Sequence, residues 1–233
     1  MTTIDFGRVE ALTFDCYGTL IDWEAGILAG LRPLVGQAGG SVSDDALLER
    51  YGAEEAVVEA GPYLPYREVL ARAATAVCRE LGVEPDDAAL AAFGGSVVDW
   101  PAFPDSAEAL ARLKTRFKLA VITNCDDDLF AASNRRLGVE FDEIVTAQQV
   151  GAYKPSHRGF EAMFERLAIP TERILHVAQS LFHDHVPAWE LGMTSAWIDR
   201  RHDREGSGAT PPAEAHPALT APSMRAFADI ALA

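Results

Sequence analysis

The chain's reactive side chains sit where apolar runs stop. The run in LTFD ends on Asp15 and turns at once through Tyr17, Gly18 and Thr19. KLAVITN ends on Thr123 and Asn124, GAYKPS carries Lys154, and QSLFHDH supplies Ser180 and Asp184. An aspartate, a hydroxyl and amide pair, a lysine and a second aspartate aimed at one region place Asp15 as a nucleophile or a metal ligand. A lysine beside Asp15 would keep it ionised through opposite-charge attraction. Gly18 lets the backbone turn away, so that N–H groups can face a bound anion.

Such chemistry requires the four stretches to meet, and the pattern between them says how. LTFD, KLAVITN (118–124), EIVTA (143–147), ILHVA (174–178) and TSAWID (194–199) are short, nearly all apolar and partly β-branched, as strands covered on both faces are. Helix-length segments with apolar residues at helical spacing separate the later runs, at 127–138, 156–168 and 184–192. This alternation predicts an α/β fold, a Rossmann-like doubly wound parallel sheet. Ligands bind at the carboxyl ends of such strands, which is where the candidate residues lie.

Residues 21–100 break the rhythm with helices only, among them DDALLERYGAEEAVVEA behind Ser43 as an N-cap. An insert directly after the first strand would lie over the carboxyl end of the sheet. The expected organisation is therefore a catalytic core of residues 1–20 and 101–233 with a helical cap domain of 21–100, and DWPAFPD (99–105) as the returning linker. The Gly- and Pro-rich segment 200–217 reads as a surface loop, and SMRAFADIALA as a terminal helix.

Composition sets outer bounds. A chain of 233 residues with 48% hydrophobic residues can bury a full core. A net charge of −15 argues against nucleic acid and anionic membrane surfaces as partners, and an anionic substrate would need local cations against that field. Three cysteines without paired spacing suggest neither disulfides nor zinc, and fit reduced thiols in a cytosol. The opening MTTIDFGRVE has no signal-peptide character, and no apolar run reaches the roughly 18 residues of a membrane span. A cytoplasmic protein is expected.

Taken in order and spacing, FDCYGTLID, ITN, YKP and AQSLFHD resemble the four motifs of the haloacid dehalogenase superfamily, with a helical cap inserted after the first. The resemblance covers nearly the whole chain. It implies Asp15 as nucleophile, Thr123 and Asn124 as the second motif, Lys154 as the third and Asp184 as the acid of the fourth. Position 17 decides the subgroup. Most members are phosphatases with Asp there as general acid for the leaving alkoxide, and losing such an acid typically costs about 10²–10⁴-fold. Here the residue is Tyr17, and Asp-x-Tyr-Gly-Thr is similar to the type II 2-haloacid dehalogenases. The implied reaction is attack of Asp15 on C2 of a 2-halocarboxylate, then hydrolysis of the aspartyl ester to a 2-hydroxy acid. Lys154, Thr19 and Asn124 would orient Asp15, and Asp184 would activate water.

The resemblance implies no required cofactor, a small carboxylate substrate and a homodimer, as is common in the family. Under an alternative Mg-dependent phosphatase reading, Asp15 and Asp184 would hold Mg²⁺, although Gln179 replaces the first acid of the fourth motif. A third reading is a non-catalytic binding protein of the same fold. The departures fall in the half of the site that handles water: Phe160 replaces a tyrosine, Ser180 an asparagine, and the gap to Asp184 is one residue longer. The cap should supply an arginine for the substrate carboxylate. Arg50 is preferred, with Arg67 as the other option, and Tyr66 as an aromatic wall. His183 is a candidate water-handling residue, and Asp126 or Asp127 is expected to cap the helix that follows. Cys16 and Cys125 read as small-residue filling.

Overall fold

The computed structural model describes residues 4–233, without the side chains of residues 37, 39 and 40. Residues 1–3, the start of the segment read as lacking a signal sequence, lie outside the described residues. In chain order the first elements are β1 (Ala11–Phe14), α1 (Trp23–Val35), α2 (Asp44–Glu59), α3 (Tyr66–Glu80) and α4 (Asp87–Gly95). Next come α5 (Ser106–Leu113), β2 (Lys118–Thr123), α6 (Asp127–Leu137), β3 (Glu143–Thr146), α7 (Ala147–Val150) and α8 (Arg158–Leu167). The chain closes with β4 (Ile174–Ala178), α9 (Val186–Glu190), β5 (Thr194–Ile198), β6 (Leu219–Ala221) and α10 (Met224–Ala231).

The six strands form one sheet of order β3-β2-β1-β4-β5-β6, and every pairing is parallel. Chain order reverses beside β1, so the crevice for a ligand opens where β1, β2 and β4 end. β1 and β4 are buried throughout and β2 everywhere but Lys118, as their near-continuous apolar sequences require of strands covered on both faces. The sixth strand, β6, escapes sequence reading because three residues cannot display a period.

Helices α1 to α4 form the cap. Three of them begin on side-chain N-caps: Asp22 accepts from Ala25 N at 3.1 Å, Ser43 from Ala46 N at 3.2 Å and Asp86 from Ala89 N at 3.1 Å. The chain leaves and re-enters the core side by side. Ile21 bridges to both Tyr17 and Ala102, Asp22 N donates to Pro101 O at 2.8 Å, and Phe103 N donates to Leu20 O at 3.0 Å.

The 200–217 segment does more than cover surface. Arg201 is buried and donates to Glu24 at 2.6 Å and Asp45 at 2.7 Å, while Ala209 N donates to Glu24 Oε1 at 3.2 Å. This loop therefore ties α1 and the start of α2 to the core. Among the described residues no helix is long and apolar enough to cross a membrane.

Candidate active site

Asp15 follows β1 directly, and its N–H donates to Val177 O at 3.2 Å, which anchors it at the end of β4. The chain then folds back through Gly18 at φ 95°, backbone that favours glycine. A β-carbon at Gly18 would also approach Trp23 Nε1 to 2.9 Å. The turn brings Thr19 beneath Asp15. Its hydroxyl donates to Asp15 Oδ2 at 2.6 Å and accepts from Gln179 N at 2.9 Å.

Lys154 reaches the other carboxylate oxygen. Its ammonium donates to Asp15 Oδ1 at 2.8 Å, Asp184 Oδ1 at 2.7 Å and Ile122 O at 3.1 Å. An ammonium has three N–H groups, and all three are engaged. Asn124 holds the lysine backbone on both sides, accepting from Lys154 N at 2.7 Å and donating to Lys154 O at 3.1 Å.

The extra residue before Asp184 is taken up by a π-turn over Leu181–His185, where His185 N donates to Ser180 O at 3.3 Å. A π-turn spans one residue more than an α-turn, so Asp184 still arrives at Lys154. Ser180 starts this turn, its hydroxyl accepting from His183 N at 2.9 Å and lying 3.1 Å from His183 Nδ1. His185 turns into the core, 2.8 Å from Ser195 Oγ and 3.0 Å from Ala178 O, so the two histidines diverge.

His176 completes the floor although its sequence position drew no attention. Its Nε2 lies 3.0 Å from Asp184 Oδ1, and its Nδ1 lies 3.0 Å from Thr13 Oγ1, the register neighbour on β1. A lone polar residue inside the apolar run ILHVA was the available signal.

Burial dominates the electrostatics. It raises the Asp15 carboxyl above its ordinary range, only partly offset by Lys154 and Thr19, which leaves a carboxylate more basic than an exposed one. Burial alone would raise Asp184 too, but Lys154 and His176 outweigh it and hold Asp184 far below the usual range. Lys154 stays charged, because the two aspartates overcome the burial that would lower it. Burial pushes His183 down to about 4, and so keeps it neutral near pH 7. Burial also drives the Tyr17 hydroxyl and the Cys16 thiol well above their usual values, and raises Cys125. Neither cysteine is a thiolate nucleophile.

The cavity above Asp15 has a volume of about 30 Å³, room for one or two waters. Asp15, Lys154, Asp184 and Asn124 form its floor, with Tyr17, Trp23, Ser180 and His183 at the sides. The cap contributes Tyr66 and two acids, Glu55 and Glu59. Glu55 is 3% exposed, and its Oε1 accepts from Tyr51 Oη at 2.9 Å and Tyr66 Oη at 3.0 Å. Burial raises its carboxyl to about 7. Glu59 has a 6% exposed side chain, with Asn124 Nδ2 at 3.4 Å from each oxygen and His183 Nε2 at 3.6 Å. Burial and the charge of Glu55 raise it well above the ordinary range.

Several expected residues lie elsewhere. Arg50 does not line this cavity and pairs instead with Glu80 of α3. The reason is rotational: Leu48, Tyr51, Gly52 and Glu55 make the buried stripe of α2, and at 3.6 residues per turn Arg50 falls off it. Arg67 is drawn to Asp128 at 2.5 Å and Asp126 at 3.7 Å. Thr123 ends β2 with its hydroxyl buried and without a partner, outside the cavity wall. Asp126 occupies the cap position of α6, yet its side chain makes no capping bond there. It accepts from Tyr66 N at 3.0 Å and Tyr63 Oη at 3.4 Å, fastening the start of α3 to the core. Asp127 likewise accepts from Thr146 Oγ1 and Gln149 Nε2, each at 2.7 Å.

Asp15 and Asp184 could each offer a carboxylate oxygen to Mg²⁺, and Asp184 Oδ2 is buried without a partner. The Lys154 ammonium bridges Oδ1 of Asp15 and Oδ1 of Asp184, Thr19 holds Asp15 Oδ2, and Gln179 adds no charge. Among the described residues no group of three or more His, Cys, Asp or Glu is arranged to hold a metal ion.

A parallel sheet with a helical cap, and an aspartate at the end of its first strand bridged by lysine to a second aspartate, define one recognisable class of hydrolase built on a Rossmann-like core. A sequence model of the haloacid dehalogenase-like hydrolases matches residues 9–178, and the chain belongs to that family. It is 26% identical over 212 residues to (S)-2-haloacid dehalogenase H-109 of Pseudomonas putida, covering 88% of this chain and 93% of the relative. It is 27% identical over 198 residues to haloacetate dehalogenase H-2 of Moraxella sp. (strain B), covering 83% and 87%. In fold it resembles the L-2-haloacid dehalogenase from Xanthobacter autotrophicus with chloropropionic acid covalently bound. That likeness has a TM-score of 0.76 at 22% identity, over 95% of this chain and 98% of the other.

Proposed function

We propose that the protein is a hydrolase acting at carbon of a small 2-substituted carboxylic acid through an aspartyl ester on Asp15, with 2-haloacid dehalogenation as its reaction. The observation that carries this reading is the state of Tyr17. Its hydroxyl lies 3.0 Å from Ser133 Oγ and accepts from Cys125 Sγ at 3.3 Å, and burial puts its proton out of reach. A leaving group that departs as an anion without protonation suits a position 17 that has no proton to give.

In the first step an Asp15 carboxylate oxygen bonds to C2, and the bond from C2 to the halogen breaks with its electron pair leaving on halide. Lys154 and Thr19 hold both carboxylate oxygens, so the nucleophile is oriented before substrate arrives. In the second step water adds to Cγ of Asp15 and the ester C–O bond breaks, releasing the 2-hydroxy acid. Asp184 keeps Oδ1 on Lys154 and His176 while Oδ2 is buried without a partner, placed to accept a proton from that water. The cavity of about 30 Å³ adjoins a groove of about 380 Å³ that shares Glu59, Lys154 and His183 with it, and the acid would take space from both.

A single turnover in ¹⁸O-water tests this. The isotope is expected in the Asp15 carboxylate and absent from the first equivalent of product, with an ester adduct seen by mass spectrometry on the parent and not on Asp15→Asn. Isotope in the first product molecule would refute the ester.

A further inference from the structure

Apart from the Trp23 indole N–H, the cap presents acceptors to the reacting carbon, where an anionic substrate would need donors. Among the described residues Lys154 is the one Lys or Arg on the cavity wall, and its three N–H groups are spent on Asp15, Asp184 and Ile122 O. Tyr66 and Tyr51 spend their hydroxyl protons on Glu55. Two buried polar atoms on the same wall have no partner, His183 Nε2 and Asp184 Oδ2, and His183 is only 8% exposed. The Ser180 hydroxyl accepts from His183 N and can donate to Nδ1, which leaves the ring proton of His183 on Nε2, toward Glu59.

Glu59 and His183 also form a threshold. Both line the cavity above Asp15, and both line a neighbouring groove of about 380 Å³ walled by Tyr63, Tyr153 and Phe182. That volume suits a small organic ligand. Their 3.6 Å separation is beyond hydrogen-bond reach, so Glu59 Oε2 is not spent on His183 and stays open to a donor on the substrate.

We propose that Glu59, backed by Glu55 and faced by His183, is a recognition subsite for a hydrogen-bond-donating or positively charged group of the substrate, an ammonium or a primary amide, next to the carbon that Asp15 attacks. The inference rests on the Asp15 ester reading for which carbon is attacked. The substrate is thereby narrowed from a plain 2-haloacid to an acid that carries an amine or enters as its amide, with that group held at the threshold. Desolvation keeps Glu59 above its ordinary range, and an arriving ammonium draws it back to the carboxylate and pairs with it.

Calorimetric titration of the whole protein at pH 7.5 with (S)-lactate, (S)-lactamide and alaninamide tests the subsite, since none carries a leaving group. Lactamide and alaninamide are expected to bind at least tenfold more tightly than lactate, and Glu59→Gln to reduce the alaninamide preference by tenfold or more. Glu59→Asp, which keeps the charge, is expected to retain part of it. Equal or tighter binding of lactate, binding of none of the three, or a preference untouched by Glu59→Gln would overturn the proposal. Should Glu59→Gln fail to fold, the ranking in the parent and the Glu59→Asp ratio decide. Mass spectrometry after 2-chloropropionate and 2-chloropropionamide separates the two readings. No Asp15 adduct from either reagent sinks the ester, while the ligand ranking judges the subsite alone.

Discussion

Gly52 of α2 and Ala209 of the loop after β5 meet backbone to backbone: a β-carbon on Gly52 would lie 2.3 Å from Ala209 O. Arg201 holds the same loop against Glu24 and Asp45, so the loop has little freedom to retreat. Gly52→Ala should therefore strain the seam between cap and core. Overpacking of this kind costs about 1–3 kcal/mol. Thermal unfolding should show a Tm lowered by roughly 2–4 °C for each of those kcal/mol, as for chains of this size. An unchanged Tm would mean that the loop is not seated on α2.

Removing the ammonium between the two aspartates should be more damaging. Lys154→Met leaves Asp15 and Asp184 facing each other in a buried site, and breaking a buried pair on one side costs about 3–5 kcal/mol. Denaturant midpoints measure the loss. Adding Asp184→Asn to Lys154→Met should recover part of the stability, while Asp15, no longer oriented by the ammonium, forms its adduct more slowly than in the parent. A double variant no more stable than the single one would contradict charge repulsion as the cause.

Tyr17 offers the opposite expectation. Its hydroxyl faces Ser133 and Cys125 and carries no proton that chemistry can use. Tyr17→Phe should keep the rate of Asp15 adduct formation within about threefold, a change of ~0.6 kcal/mol in the barrier. A loss of a hundredfold would assign the hydroxyl a part in the reaction.

Glu55 should leave a signature in the pH dependence of stability. Its folded pKa is raised from 4.5 to about 7, so its contribution is fully present below 4.5 and is lost as pH rises through 7. Relative to Glu55→Gln, the parent should therefore gain on the order of 3 kcal/mol between pH 9 and pH 4. Urea unfolding of both proteins across that range checks the sign. A difference independent of pH would mean that Glu55 titrates as an exposed acid.

What could be read from the chain follows from where side-chain direction is set locally. Asp15 is legible because it lies directly beyond an apolar strand, and Lys154 and Asp184 because the segments that carry them leave the same edge of a parallel sheet after β3 and β4, whatever the cap does. Glu55 and Glu59 were not, because which face of α2 turns inward depends on its docking against Tyr66 and the 200–217 loop. The same dependence misdirected attention to Arg50. Asp126 was misread for a related reason: the capping site it could fill competes with the Tyr66 N–H, a donor from residues far away in sequence. The longer fourth motif was visible as a count of residues, whereas the π-turn that absorbs it was not.

The paired crossings at Ile21 and Ala102 have a consequence for descent. Because the chain departs from the core and rejoins it at adjoining points, the intervening helices hang on it like a cassette. Insertion, deletion or wholesale replacement there leaves the strand register beneath undisturbed. Changes to those helices can thus alter which molecules are admitted while the aspartate beneath keeps its place.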